Sequence, residues 1–239
     1  MELTEGILKF DALEELLFGE KIDLENNLDK VIHIYGEAGT GKTTLALQIA
    51  RGFCLKNRKV IFIDTEGKVT GSKMQGIFGK KLLDESNQLL KLFIPTSFSE
   101  QQELIQKMEY FIQNQEIGTI IIDTITNLYR QERDLLKEDK RIFKQLAFQV
   151  ALMHKIAKNN DFPVILFNQS TMPKSEDEDF LTSLKRERVN PVAKFIMDYW
   201  SDREIILLSH GYGKFEARIP REFEGRVKFN INSEGINPI

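Results

Sequence analysis

Residues 31–44 of this 239-residue chain read Val-Ile-His-Ile-Tyr-Gly-Glu-Ala-Gly-Thr-Gly-Lys-Thr-Thr, and their types and spacing suit the binding of a polyphosphate. Gly36, Gly41, Lys42 and Thr43 match G-x-x-x-x-G-K-[ST], the P-loop pattern. Glycines bracket the turn because backbone N–H groups can crowd around an anion only where no Cβ intervenes. The helix expected from Lys42 onward offers unpaired N–H groups and the positive end of its dipole to the phosphates. Lys42 is placed to reach the β- and γ-phosphates and to take part in catalysis, and the Thr43 hydroxyl to hold Mg²⁺. The expected nucleotide-binding segment is therefore Gly36, Glu37, Ala38, Gly39, Thr40, Gly41, Lys42, Thr43 and Thr44.

Three further groups end apolar runs that read as strands, where ligands collect in open α/β sheets. Asp123 closes Ile-Ile-Ile-Asp, a hydrophobic strand plus carboxylate that can hold Mg²⁺ through its hydration shell. Asp64-Thr65-Glu66-Gly67 ends a second run, and Glu66 is a candidate to orient and deprotonate an attacking water. Asn168-Gln169 ends a third. A neutral amide such as Gln169 can donate to a γ-phosphate and release an attached loop once that phosphate is gone.

The elements that must position these groups alternate along the chain. Leu13, Leu16 and Leu17 before Gly19 predict a short helix. Strand 31–35 and helix 42–56 follow, then strand 60–63, a glycine- and lysine-rich stretch over 65–81 read as mostly loop, and strand 92–94. A helix over 100–114, strand 119–123, a polar stretch over 127–138 and a long amphipathic helix over 139–159 come next. Strand 164–167, a polar loop over 170–190, a helix near 192–200 and three strands at 204–209, 214–219 and 226–231 complete the pattern. Continuous apolar strands between helices predict an α/β fold with a mainly parallel central sheet, both faces covered, and an antiparallel edge. The expectation is one domain over 1–239.

Composition narrows the classes further. Hydrophobic residues make up 41% and charged ones 29%, and the net charge is −3, so any nucleic-acid surface must be local. Cys54 is the single cysteine, which excludes an internal disulfide and disfavours a Cys-built metal site; its apolar neighbours predict a buried thiol. There is no signal-peptide profile and no apolar run of the ~20 residues that span a bilayer. A cytoplasmic protein with no membrane partner is expected.

The set Gly36–Thr44, Phe62–Gly67, Ile120–Thr124 and Phe167–Gln169 resembles the core of the RecA/RadA recombinases over roughly residues 5–239. Within that superfamily the chain is most similar to the core-only archaeal RadB branch. Leu13-Glu-Glu-Leu-Leu-Phe-Gly19 resembles its opening, and 35 residues before the P-loop are too few for a helix-hairpin-helix domain. The resemblance implies a RecA-like fold in which the Asn-Gln strand lies between the P-loop strand and the Asp123 strand. It implies ATP and Mg²⁺ as ligands, Glu66 as catalytic base, Thr43 and Asp123 at the metal, and Gln169 as γ-phosphate sensor. The polymerisation motif F-x-x-A is not met, because Phe10-Asp11-Ala12-Leu13 puts the alanine one place early.

The stretch from Tyr129 to Asp161 resembles the first DNA-binding loop and helix of that family. Arg130, Arg133, Lys137, Lys140 and Arg141 are the DNA-binding candidates there, with Glu132, Asp134, Glu138 and Asp139 interleaved. Lys185, Arg186 and Arg188 are candidates in the second loop, where Glu176-Asp177-Glu178-Asp179 would repel a phosphate backbone. The expected function is an ATP-binding accessory protein of DNA repair and homologous recombination. It would bind single- or double-stranded DNA, a RadA-type recombinase or both in a nucleotide-dependent way, hydrolyse ATP weakly, and have the option of homo-oligomerising. The alternatives are a DNA-stimulated strand-exchange ATPase and a KaiC-like signalling ATPase.

Overall fold

A computed structural model of the chain describes residues 6–8, 10–19, 29–136, 139–171, 190–220 and 225–239. The strands are β1 (Val31–Gly36), β2 (Lys59–Asp64), β3 (Leu90–Phe93), β4 (Ile117–Asp123), β5 (Val164–Thr171), β6 (Asn190–Pro191), β7 (Arg203–Ser209), β8 (Lys214–Arg218), β9 (Arg226–Asn232) and β10 (Gly235–Pro238). The helices are α1 (Asp11–Phe18), α2 (Lys42–Leu55), α3 (Gly71–Phe78), α4 (Lys80–Glu85), α5 (Phe98–Gln106), α6 (Met108–Ile112), α7 (Asn127–Leu136), α8 (Asp139–Asn160) and α9 (Lys194–Trp200).

The sheet runs β10-β9-β8-β7-β1-β5-β4-β2-β3, with two-residue β6 paired to the end of β5. Neighbours from β7 through β3 are parallel, and β8, β9 and β10 add antiparallel to the β7 edge. The mainly parallel sheet with an antiparallel edge is thus borne out, as is the place of β5 between β1 and β4.

Side chains alternate across the pleat and feed two cores. Ile32, Ile34, Val60, Phe62, Ile121, Ile165 and Phe167 pack with α1 and α2 on one face. Val31, Ile61, Ile63, Ile120, Ile122, Val164 and Leu166 pack with α5, α8 and α9 on the other. Both faces being covered is what makes the central strands read as unbroken apolar runs.

Four details depart from the sequence expectation. Residues 65–81 are not mostly loop: α3 forms behind a Thr70 cap whose hydroxyl accepts from Lys73 N at 3.3 Å, and buried Ile77 and Phe78 anchor it. The polar stretch from 127 is helix α7, held by buried Leu128 and Tyr129. The single helix expected over 100–114 breaks at Lys107 into α5 and α6. A further terminal strand, β10, pairs antiparallel with β9. The candidates Lys137, Lys185, Arg186 and Arg188 lie outside the described residues, as does most of the second loop.

Candidate nucleotide site

Parallel register brings the chemistry to one edge. Gly36 lies opposite Gln169 across β1 and β5, and Asp64 opposite Asp123 across β2 and β4. Between these strand ends and the turn before α2 is a cleft of about 440 Å³. The P-loop residues Ala38, Gly39, Gly41, Lys42, Thr43 and Thr44 line it, together with Glu66, Asp123 and Gln169.

The turn needs its glycines for stated reasons. Gly41 caps α2 with φ +89°, and a Cβ there would sit 2.2 Å from Ile231 Cδ1. A Cβ on Gly36 would meet the Leu207 carbonyl at 2.5 Å. A side chain at either position would force the turn out of shape. Lys42 folds back across it, donating to the Gly36 and Glu37 carbonyls at 2.8 and 2.6 Å. Burial pushes the Lys42 ammonium down to about 8, against the pull of Asp123 and Glu66.

Asp123 is 2% exposed, and burial raises its carboxyl to about 6, with a Thr43 hydroxyl bond opposing the shift and Glu66 and Asp64 adding to it. Thr43 and Asp123 are hard oxygen donors in contact with each other. No cluster of three or more His, Cys, Asp or Glu suited to a metal exists among the described residues. Two protein oxygens with phosphate and water oxygens completing the shell match the way Mg²⁺ is held at nucleotide sites. The donor set therefore fits that ion.

Glu66 is held from several sides. Its Oε1 accepts from Gln169 Nε2 at 2.6 Å and from the Thr124 hydroxyl at 3.3 Å, and its Oε2 pairs with the Lys68 ammonium. Burial works to raise the Glu66 pKa, but the Lys68 and Gln169 bonds outweigh it and hold the carboxyl below its ordinary value. Asp64 has a different job. Its carboxylate accepts from the backbone N–H of Glu66 and of Val69 at 3.1 and 2.8 Å, which shapes the turn that presents Glu66.

Gln169 and Asn168 point to opposite sides of β5, as the pleat requires. Asn168 Nδ2 donates to the Val192 carbonyl at 2.9 Å and contacts His33 Nε2 at 3.2 Å, and its Oδ1 accepts from Thr126 at 2.5 Å. Asn168 thus ties β5 to β1 and to the chain leading into α9. Gln169 reaches the cleft, and its Oε1 accepts from Arg130 Nη1 of α7 at 2.5 Å.

That contact engages one DNA candidate: Arg130 is half-buried and bonded to Gln169. Arg133 bonds its neighbour Asp134 and lies over the Tyr129 ring, while Lys140 and Arg141 are exposed on the first turn of α8. Tyr129 itself is 5% exposed and packs edge-on against Phe98, so it offers no face for a base.

Sequence reading missed Lys68, Thr124 and the far wall of the cleft. That wall is apolar: Phe215 of β8 and Ile231 of β9 lie beside the P-loop, and the terminal hairpin is pinned to α2 through Gln48. Lys68 stood two places from Glu66 in a lysine-rich stretch, and only its pairing distinguishes it. Phe215 and Ile231 carry no local signal, because their place depends on strand pairing 180 or so residues away from the P-loop.

The family model described as Rad51 matches residues 6–238. The DNA repair and recombination protein RadB of Methanococcoides burtonii is 30% identical, over 94% of this chain and 93% of its own length. The protein of the same description from Methanobrevibacter smithii is 31% identical, over 89% and 90%. A crystal structure of the RadB recombinase has a TM-score of 0.71 at 24% identity, covering 95% of this chain and 96% of that one, which is a likeness of fold.

Proposed function

The chain belongs to the Rad51 family, and from that premise we propose that it is a RadB-like DNA repair and recombination protein whose ATP-bound state controls its grip on DNA or a recombinase. One observation carries the reading: the ends of β1, β2, β4 and β5 bring Lys42, Glu66, Asp123 and Gln169 into one cleft. The P-loop N–H groups and Lys42 bind the phosphates, and Thr43 with Asp123 holds Mg²⁺, which when bound neutralises phosphate charge. The apolar wall of Phe215 and Ile231 suits the base and sugar.

In this reading Glu66 orients a water and accepts its proton, a role that needs one free carboxylate oxygen. Gln169 donates its amide N–H to Glu66 and receives one from Arg130, so a terminal phosphate that takes over the Gln169 amide also disturbs the hold on α7. Hydrolysis is slow in this reading, because Glu66 must first exchange a partner that engages one of its oxygens. The chain acts as a single RecA-like core over 1–239, in the cytoplasm, and no described helix is long and apolar enough to cross a membrane.

The test is a fluorescent-nucleotide titration of the wild type and Lys42→Ala with Mg²⁺, followed by DNA and recombinase binding with and without ATP. Lys42→Ala is expected to abolish nucleotide binding and with it the nucleotide dependence of the second step. Equal nucleotide binding by both proteins would sink the reading.

A further inference from the structure

Lys68 belongs to no part of the phosphate-binding pattern, yet it lines the same cleft as the P-loop and its ammonium sits on Glu66 Oε2. The pair is asymmetric in mobility. The Glu66 side chain is 9% exposed and fixed by Gln169 and Thr124, whereas that of Lys68 is 57% exposed on a flexible stem. Lys68 therefore can leave without unpacking anything, and Glu66 cannot. Asp123 and Asp64 add to the negative field that favours the charged ammonium.

Resting on the nucleotide-site reading above, we infer that Lys68 is a γ-phosphate-binding residue held in reserve on Glu66. A terminal phosphate carries more negative charge than one carboxylate and offers three acceptor oxygens. It draws the ammonium off Oε2, and the same movement opens that oxygen to accept a hydrogen bond from water. Lys68 thus couples recognition of the third phosphate to exposure of the base within one chain. Two consequences are specific. Lys68 favours a triphosphate over a diphosphate, and Glu66 competes with the γ-phosphate for it.

Calorimetric titration of Mg²⁺ complexes of AMP-PNP and of ADP into wild type, Lys68→Met, Glu66→Gln and the double variant tests both. Lys68→Met is expected to weaken AMP-PNP roughly tenfold, the order of one charge-assisted hydrogen bond, and to leave ADP within about twofold. Glu66→Gln is expected to tighten AMP-PNP, and the gain should shrink in the double variant to what relief of direct charge repulsion leaves. Lys68→Arg should keep most of the triphosphate preference. An equal loss for both nucleotides, no loss for either, or a Glu66→Gln gain that is undiminished without Lys68 would overturn the inference alone. A wild type that binds neither nucleotide would instead remove the nucleotide-site reading beneath it.

Discussion

At the scale of single residues, the cleft stores charge that the fold alone would not choose. Asp123 has a folded pKa of about 6 against an ordinary 3.8, so between those values the folded chain binds more protons than the unfolded one. Stability of the nucleotide-free protein therefore falls as pH rises from about 4 through 6 on account of this group, and the penalty is fully present at pH 7. Asp123→Asn is expected to stabilise the free protein at pH 7 by on the order of 2 kcal/mol while removing Mg²⁺-dependent nucleotide affinity. Urea titrations at pH 7 and near pH 4 check this, because the advantage of the variant must shrink at the lower pH. Cys54 supplies a second expectation. Burial pushes its thiol up to about 11, so a thiol reagent at pH 8 should label it only after denaturation. Both consequences come from burial: that of Cys54 was legible in its apolar neighbours, whereas Asp123 was legible as a strand-ending carboxylate and its shifted titration was not.

At the scale of elements, the helix after the P-loop is clamped by the chain's far end. Gln48 of α2 receives the Ile236 N–H at 2.7 Å and donates to the Ile236 carbonyl at 3.2 Å, fixing β10. Gln48→Met keeps the volume and strands both backbone groups, so it should cost about 1–3 kcal/mol in a urea melt. Weaker nucleotide binding should accompany it, because the hairpin carrying Ile231 backs the Gly41 turn. Elements with strong internal periodicity, such as α2, α8 and the buried strands, were readable before any coordinates. Those that lean on partners were not. α3 contains two glycines and forms because Ile77 and Phe78 find a core, and α7 looks like a polar loop until Leu128 and Tyr129 are seen to be buried. Propensity is a weak prior when tertiary burial decides.

At the scale of the whole molecule, ligand and partner binding should report on one another. Mg²⁺–ATP at about a hundred times its dissociation constant is expected to raise folding stability by about 2.7 kcal/mol in a thermal or urea melt, and Lys42→Ala should show no such rise. Arg130→Met cuts the α7 link to Gln169, so DNA or recombinase affinity should lose its dependence on nucleotide while nucleotide affinity itself is kept. The slope of log affinity against log salt counts the phosphates neutralised, and Arg133, Lys140 and Arg141 are the described residues that would set it. The side chains that line the cleft were readable from the chain because the P-loop is contiguous and because each strand-end group follows its own apolar run. The order of the strands, the contact of Arg130 with Gln169, the Phe215 and Ile231 wall and the hold on Glu66 were decided only in three dimensions. Glu66 and Gln169 are 103 positions apart, and contacts over such separations depend on which strands become neighbours, a choice made by packing the whole sheet between its helices.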